Sequence, residues 1–368
     1  MSLSQVGIQF PGLQLNLKYL HRVSYQSEFD LRTLDPEGVI FYGDKENGIN
    51  WFMLALRDGH PEIQLASKHC LTAVSSGQVL NDGKWRRIMV QSGEKTVRLL
   101  VDGKPSLILS ILPNIGFEEN QFTVRITLGK SLINESEFIL PLKHRLDACI
   151  TNWNWLQQNT SLLSQKVAMN PNLQCPMDIM PGTFFPGGGV VAFQAGGFQN
   201  DSESPEDWSL RFEAVIRPKK HTGVVLAVLS KTYNLLMQLD IVLKDRQEVF
   251  CLKLGDTVLF ELPAPNKLCN GHKIVLSLSA EMISLQVVDE LRTLQETRNS
   301  IATLRSAWIK KEAFVFLGGL PALDTLGHGW YYFQGCMQNL RMQGEPLDMN
   351  QALFVHHAIL THSCPASK

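Results

Sequence analysis

Asp35-Pro36-Glu37-Gly38-Val39-Ile40-Phe41-Tyr42-Gly43-Asp44 places a carboxylate-rich turn directly before an apolar run that ends on a second turn signal. Pro36 fixes its own φ and Gly38 admits conformations closed to other residues, so the pair punctuates the chain. The run after them has the length and the β-branched and aromatic content of a strand. Trp51 to Leu65 follows as a second strand, a tight turn at Asp58-Gly59 and a third strand.

The same order of signals occurs twice. The first half continues through Asn81-Asp82-Gly83-Lys84-Trp85, Val97 to Gly103, Val124 to Gly129 and Leu146 to Ile150. The second half answers with Thr222 to Leu226, Cys269 to Lys273, Ile283 to Asp289, Phe314 to Gly319 and Phe333 to Met337. A repeat of about 180 residues means two domains and not a solenoid. Val97, Leu99 and Val101 alternate with Arg98, Leu100 and Asp102, as in a half-buried strand. Many short strands without βαβ alternation predict an all-β chain of two antiparallel sandwiches, 1–175 and 176–368. The linker is expected near Cys175 to Pro186, where prolines and glycines cluster. One segment departs from the pattern. Leu291, Leu294, Ile301, Leu304 and Trp308 approximate helical spacing, so Asp289 to Lys311 is read as a helix inserted in the second domain.

At 368 residues, 44% hydrophobic and 19% charged, the chain is globular and fairly apolar. Its net charge of -1 gives no general pull on nucleic acid or acidic membranes. No run approaches the roughly 20 apolar residues of a membrane span. The start, Met1-Ser2-Leu3-Ser4-Gln5, lacks the basic and apolar regions of a secretory signal. Sequons at Asn134, Asn159 and Asn200 nevertheless point to export, so a truncated or alternatively started N-terminus is expected. Among the 7 cysteines no C-x-x-C occurs. Cys149 and Cys175 flank the end of the first half, and Cys336 and Cys364 that of the second; each pair would close a loop of about 25 residues, adding roughly 3 kcal/mol. Cys251 and Cys269 are the candidate third pair, and Cys70 is read as a free thiol.

Catalytic signatures are missing. Gly129-Lys130-Ser131 lacks the earlier glycine of a phosphate loop, since position 124 is Val124. Gly187-Gly188-Gly189 lacks dinucleotide spacing, and neither H-E-x-x-H nor G-x-S-x-G occurs. His356, His357 and His362 are read as exposed residues near a cysteine, and Lys219-Lys220-His221 and Lys310-Lys311 as solvated faces. No enzyme is expected. Asp35 and Glu37 can repel one another, and calcium would relieve that repulsion. An ordinary solvated acidic turn is the other reading.

The opening through Leu65, with Gly335-Cys336-Met337 and Thr361-His362-Ser363-Cys364-Pro365, resembles the tandem laminin G-like family of the sex hormone-binding globulin type. Trp153-Asn154-Trp155, Phe185-Pro186-Gly187-Gly188-Gly189 and Gly318-Gly319-Leu320-Pro321 are similar to protein S and growth-arrest-specific protein. The resemblance implies jelly-roll sandwiches, a secreted homodimer, calcium at Asp35 and Glu37, and a sex steroid (androgen or oestrogen) inside the first domain. It assigns Ser27 to the steroid ring A oxygen, Phe52 to an aromatic wall, and Val90 and Ile126 to apolar lining. Asn50 stands where the family has an aspartate, and Ser67 where it has an asparagine. His69 replaces a tryptophan lid, and Ser92 and Val124 replace methionines. A protein-binding pair of the protein S type is the alternative.

Overall fold

Alternation builds the strands, and turn residues end them. The computed structural model describes residues 1–3, 15–20, 25–45, 48, 50–67, 70–93, 96–110, 121–157, 161–170, 173–198, 208–220, 222–264, 271–295, 301–321 and 332–366. They form two units, Met1–Met180 and Pro181–Lys368.

The first unit contains β1 (Leu15–Leu20), β2 (Tyr25–Thr33), β3 (Gly38–Lys45), β4 (Asn50–Arg57), β5 (His60–Ser67), β6 (Cys70–Ser75), β7 (Arg86–Ser92), β8 (Thr96–Val101), β9 (Lys104–Ser110), β10 (Gln121–Leu128) and β11 (Ala148–Asn154). One sheet has six strands in the order β1-β10-β3-β4-β5-β6, the other five in the order β11-β2-β7-β8-β9. Every pair is antiparallel. Between the sheets lie Phe29, Leu31, Phe41, Leu54, Leu56, Ile63, Leu99 and Trp155. Val97, Leu99 and Val101 are buried and Arg98 is exposed, as the alternation predicts.

The outer face of β3–β4–β5 is covered as well. Ile133, Phe138 and Leu142 pack on Val39, Tyr42, Trp51, Met53 and Ala55. Glu62 and Gln64 are fully buried under this cover. Gln64 Oε1 accepts the N–H of Ile139 and Leu140, and Glu62 pairs with Arg57.

The second unit repeats the plan with two seven-stranded sheets around a larger core. The strand Gly223–Ser230 stands where β3 does, and Gly223 lies opposite Ile241 as Gly38 lies opposite Leu56. Here the expected helix over Asp289 to Lys311 is corrected. Glu290–Gln295 is a strand paired with Met282–Val287, and the helix spans only Ala302–Ile309. Leu291 and Leu294 are exposed, whereas Ile301, Leu304 and Trp308 are buried. A further helix, Ser161–Met169, lies in the first unit.

Cys149–Cys175 and Cys336–Cys364 are both formed, each with Cα atoms 5.9 Å apart. Cys251 is a free, buried thiol, so it is no partner for Cys269, which lies outside the described residues. The side chain of Cys70 also lies outside them.

Candidate ligand site

Strand direction divides the first unit into two poles. The turn after Thr33 leads to Gly38, which lies opposite Leu56. The far ends of β2 and β4, at Tyr25 and Asn50, therefore point to the other pole. Pairings Leu20↔Gln121, Tyr25↔Ser92, Lys45↔Asn50, Ser67↔Cys70 and Thr96↔Ser110 all fall at that pole.

All six residues assigned by resemblance lie in this half. Phe52 shares the inner face of β4 with Leu54 and Leu56, and alternation puts Asn50 there too. Leu65 lies opposite Phe52, and Ser67 shares its face at the end of β5. On β10, Ile126 is buried opposite Gly43. On the facing sheet Ser27 and Val90 lie opposite each other, exposed by 5% and 8%. Asn50 and Ser67 already take part in interactions of their own. His69 lies outside the described residues.

Sequence reading missed Gly43. Phe41 faces the interior and Tyr42 the outer cover, so alternation turns position 43 inward. Gly43 lies opposite both Phe52 and Ile126, and it leaves that row without a side chain. A Cβ there would meet nothing closer than 3.7 Å. Glycine inside a strand often marks a close approach by another group. Phe41 stacks on Phe52 at 5.5 Å and meets Trp155 at 5.6 Å. The notch thus adjoins an aromatic wall.

Ser27 is held by a contact from a distant part of the chain. Its Oγ accepts the backbone N–H of Leu156 at 3.1 Å. The hydroxyl proton therefore remains to be donated, and among the described residues it has no acceptor. Leu156 follows β11, far away in sequence, so only the fold brings the two together.

The acidic turn lies at the opposite pole. Asp35, 1% exposed, accepts Glu37 N–H at 3.1 Å and Asp147 N–H at 2.9 Å, one on each oxygen. Glu37 Oε1 accepts Lys143 N–H at 3.1 Å. Neighbouring turns are laced to it by Gly59 N–H to Pro36 O at 2.8 Å and Gly83 N–H to Thr33 O at 2.9 Å. The Arg145 guanidinium lies close enough to feel Asp147 and Asp35, although burial still pulls its pKa down. Two adjacent carboxylates are suitable donors for a hard cation. Among the described residues no three His, Cys, Asp or Glu side chains converge as a metal centre. Calcium here would need carbonyl and water oxygens for most of its shell.

Of the sequons, Asn134 is exposed, and its Nδ2 donates to Glu137 Oε1 at 3.3 Å. Asn159 and Asn200 lie outside the described residues.

Comparisons with known proteins agree with this architecture. The Laminin G domain model matches residues 31–161 and 216–348. Human sex hormone-binding globulin is 33% identical over 343 residues, covering 93% of this chain and 80% of that protein. Mouse growth arrest-specific protein 6 is 28% identical and rabbit vitamin K-dependent protein S 29%, with 96% and 97% of this chain covered. The chain spans only about half the length of those two, 54% and 56%. Domains LG4-5 of the mouse laminin alpha1 chain share the fold, with a TM-score of 0.64, 22% identity and coverage of 97% of this chain and 92% of that one. Its laminin G-like relatives are non-enzymatic, and the chain is not an enzyme. It belongs to the laminin G domain family, as a tandem pair of such domains related to the sex hormone-binding globulins.

Proposed function

We propose that the chain is an extracellular carrier that holds a sex steroid between the sheets of its first unit. The observation that carries this is the inner row Leu65–Phe52–Gly43–Ile126, apolar throughout and lacking one side chain, with the Ser27 hydroxyl on the facing sheet. A flat, rigid apolar ligand would lose little freedom on binding along this row. Burying roughly 400 Å² of it would yield on the order of 10 kcal/mol gross. With Leu156 N–H accepted, the Ser27 hydroxyl still has its proton to donate to a ligand oxygen. Asn50 and Ser67 supply polar groups from the opposite sheet. The two disulfides support an oxidising location. A homodimer stays part of this reading, and sedimentation velocity tests it.

The test is equilibrium binding of labelled dihydrotestosterone and oestradiol to the whole chain, with Ser27→Ala and Gly43→Val in parallel. Ser27→Ala should weaken binding about tenfold, because it removes a buried donor. Gly43→Val fills the notch and should abolish uptake while leaving thermal unfolding nearly unchanged. No saturable uptake by the wild type would favour the protein-binding reading.

Calcium belongs to the same proposal as a structural ion at Asp35 and Glu37, where it would neutralise the carboxylates and fix the turn. With only two side-chain ligands the affinity should be that of weak extracellular sites, about 0.1–1 mM. Calcium at roughly ten times its Kd should then add about 1.4 kcal/mol to the first unit. That corresponds to a melting midpoint about 3–5 °C higher than in chelator. Glu37→Gln should erase the difference; an equal shift in wild type and variant would move the ion elsewhere.

A further inference from the structure

One sheet of the second unit carries a charge that the whole chain does not. Its strands Thr183–Pro186, Gln334–Met342, Ser209–Pro218, His272–Ser279, Met282–Val287 and Glu290–Gln295 lie side by side in that order. Phe212, Ala214, Ile274 and Leu276 point into the core, so alternation turns Arg211, Glu213, Arg217 and Lys273 outward. Arg341, between the buried Leu340 and Met342, lies directly opposite Glu213. Arg211, Lys273 and Arg341 are exposed. Arg211 donates to Glu213 at 2.8 Å and, with Lys273 and Arg341 nearby, holds that carboxyl below its usual range. The Lys219 ammonium lies 4.9 Å from the ring of Phe184, which faces outward because Phe185 belongs to the core. Five cations therefore share a face with Glu213, the one acid at the outward positions of these strands. The net charge of -1 hides this, because screening over about 8 Å at physiological salt lets only nearby charges count. On the corresponding sheet of the first unit, by contrast, Arg87 is paired with both Glu28 and Asp30.

The same face exposes apolar side chains. Met282 is 47% exposed and Leu291, opposite Gln286, is 57% exposed. A soluble polyanion gains nothing from them. A bilayer surface takes both kinds of group, cations at the headgroup phosphates and apolar side chains at the acyl boundary. We propose that this face docks onto an anionic phospholipid surface through Arg211, Arg217, Lys219, Lys273 and Arg341, with Met282 and Leu291 at the interface. The proposal is independent of any ligand held between the sheets of the first unit.

Flotation of the whole chain with vesicles tests it, in chelator so that calcium forms no bridge. The wild type should bind phosphatidylcholine vesicles containing about 30 mol% phosphatidylserine and ignore phosphatidylcholine alone. The attraction should vanish at about 1 M salt, where the Debye length falls to about 3 Å. Joint Arg211→Gln, Lys273→Gln and Arg341→Gln should weaken binding at least about tenfold, at roughly fivefold per surface cation and with Arg211 already engaged by Glu213. Glu213→Gln removes the one acid and should strengthen binding about threefold, so a folding defect in the triple variant leaves the proposal testable. Joint Lys84→Gln, Arg98→Gln and Lys104→Gln takes as many exposed cations from the first unit and should change binding less than about twofold. Leu291→Ser should weaken vesicle binding and leave retention on heparin unchanged. Equal flotation with both vesicle types, equal losses in the two triple variants, or no gain in Glu213→Gln would overturn the proposal. So would tight retention on heparin without flotation, which would assign the face to a soluble polyanion.

Discussion

Glu62→Ala is expected to destabilise the first unit by about 3 kcal/mol, the low end for breaking a buried ion pair. Glu62 is fully buried on β5 and receives Arg57 Nη2 at 3.0 Å and Gln64 Nε2 at 2.8 Å. Arg57 also donates to Pro141 O at 2.8 Å, and Gln64 Nε2 to Leu140 O at 2.9 Å. The carboxylate thus stands at the centre of a latch that holds the segment over Trp51, Met53 and Tyr42. Removing it leaves a partly buried guanidinium without its counter-charge and one amide hydrogen of Gln64 unmatched, and loosens the cover. Arg57 is 27% exposed, so water screens part of the loss and the low end of the range applies. Calorimetry should show one transition falling by about 8 °C, at the usual few degrees per kcal/mol for a unit of this size. The second unit's transition should not move. Joint replacement by Arg57→Met and Glu62→Leu should recover part of the loss, since it removes the unpaired guanidinium, while one Gln64 amide hydrogen stays unmatched. A single-variant cost below about 1 kcal/mol would show that the latch holds nothing.

Gly38→Ala should cost about as much, for a steric reason. A Cβ at Gly38 would lie 2.3 Å from the carbonyl oxygen of Arg145, where φ is +152°. That neighbour is backbone and cannot rotate away, so either β3 or the segment entering β11 must shift. The same shift would pull Asp147 N–H from Asp35 and Lys143 N–H from Glu37. Overpacking of this kind costs about 3 kcal/mol at its upper range. Gly223→Ala should behave alike in the second unit, where the Cβ would meet Phe333 Cα at 2.5 Å. Gly103→Ala is the comparison. It carries a left-handed φ of +77° with nothing within 4 Å, and should lose only the conformational term, about 1 kcal/mol. Urea titrations of the three variants separate crowding from backbone strain. Equal costs at Gly38 and Gly103 would refute the close-approach account.

Local pattern carried much of the sandwich. β8 alternates cleanly because one of its faces meets water. β4 is buried from Met53 to Leu56, because a segment some eighty residues later covers its outer side. No window of sequence around Trp51 could show that. The helical reading of Asp289 to Lys311 joined two elements. Leu291 and Leu294 lie on an exposed edge strand, where burial imposes no period, and their spacing imitated the true helix at Ala302–Ile309. The assigned site residues came by resemblance, and the fold gathers them into one half. Gly43 escaped notice because a glycine gives no hydrophobic signal. Leu156 escaped because its meeting with Ser27 spans 129 positions.

The separation of the two poles sets what evolution can change cheaply. Residues that keep the sandwich rigid, Gly38, Asp35 and their laced neighbours, stand far from the strand ends around Ser27 and Asn50. On the carrier reading, substitutions at those strand ends would retune which cargo enters and how quickly it leaves, without disturbing the scaffold. Divergent cargo on an unchanged frame would be the natural outcome of such a layout.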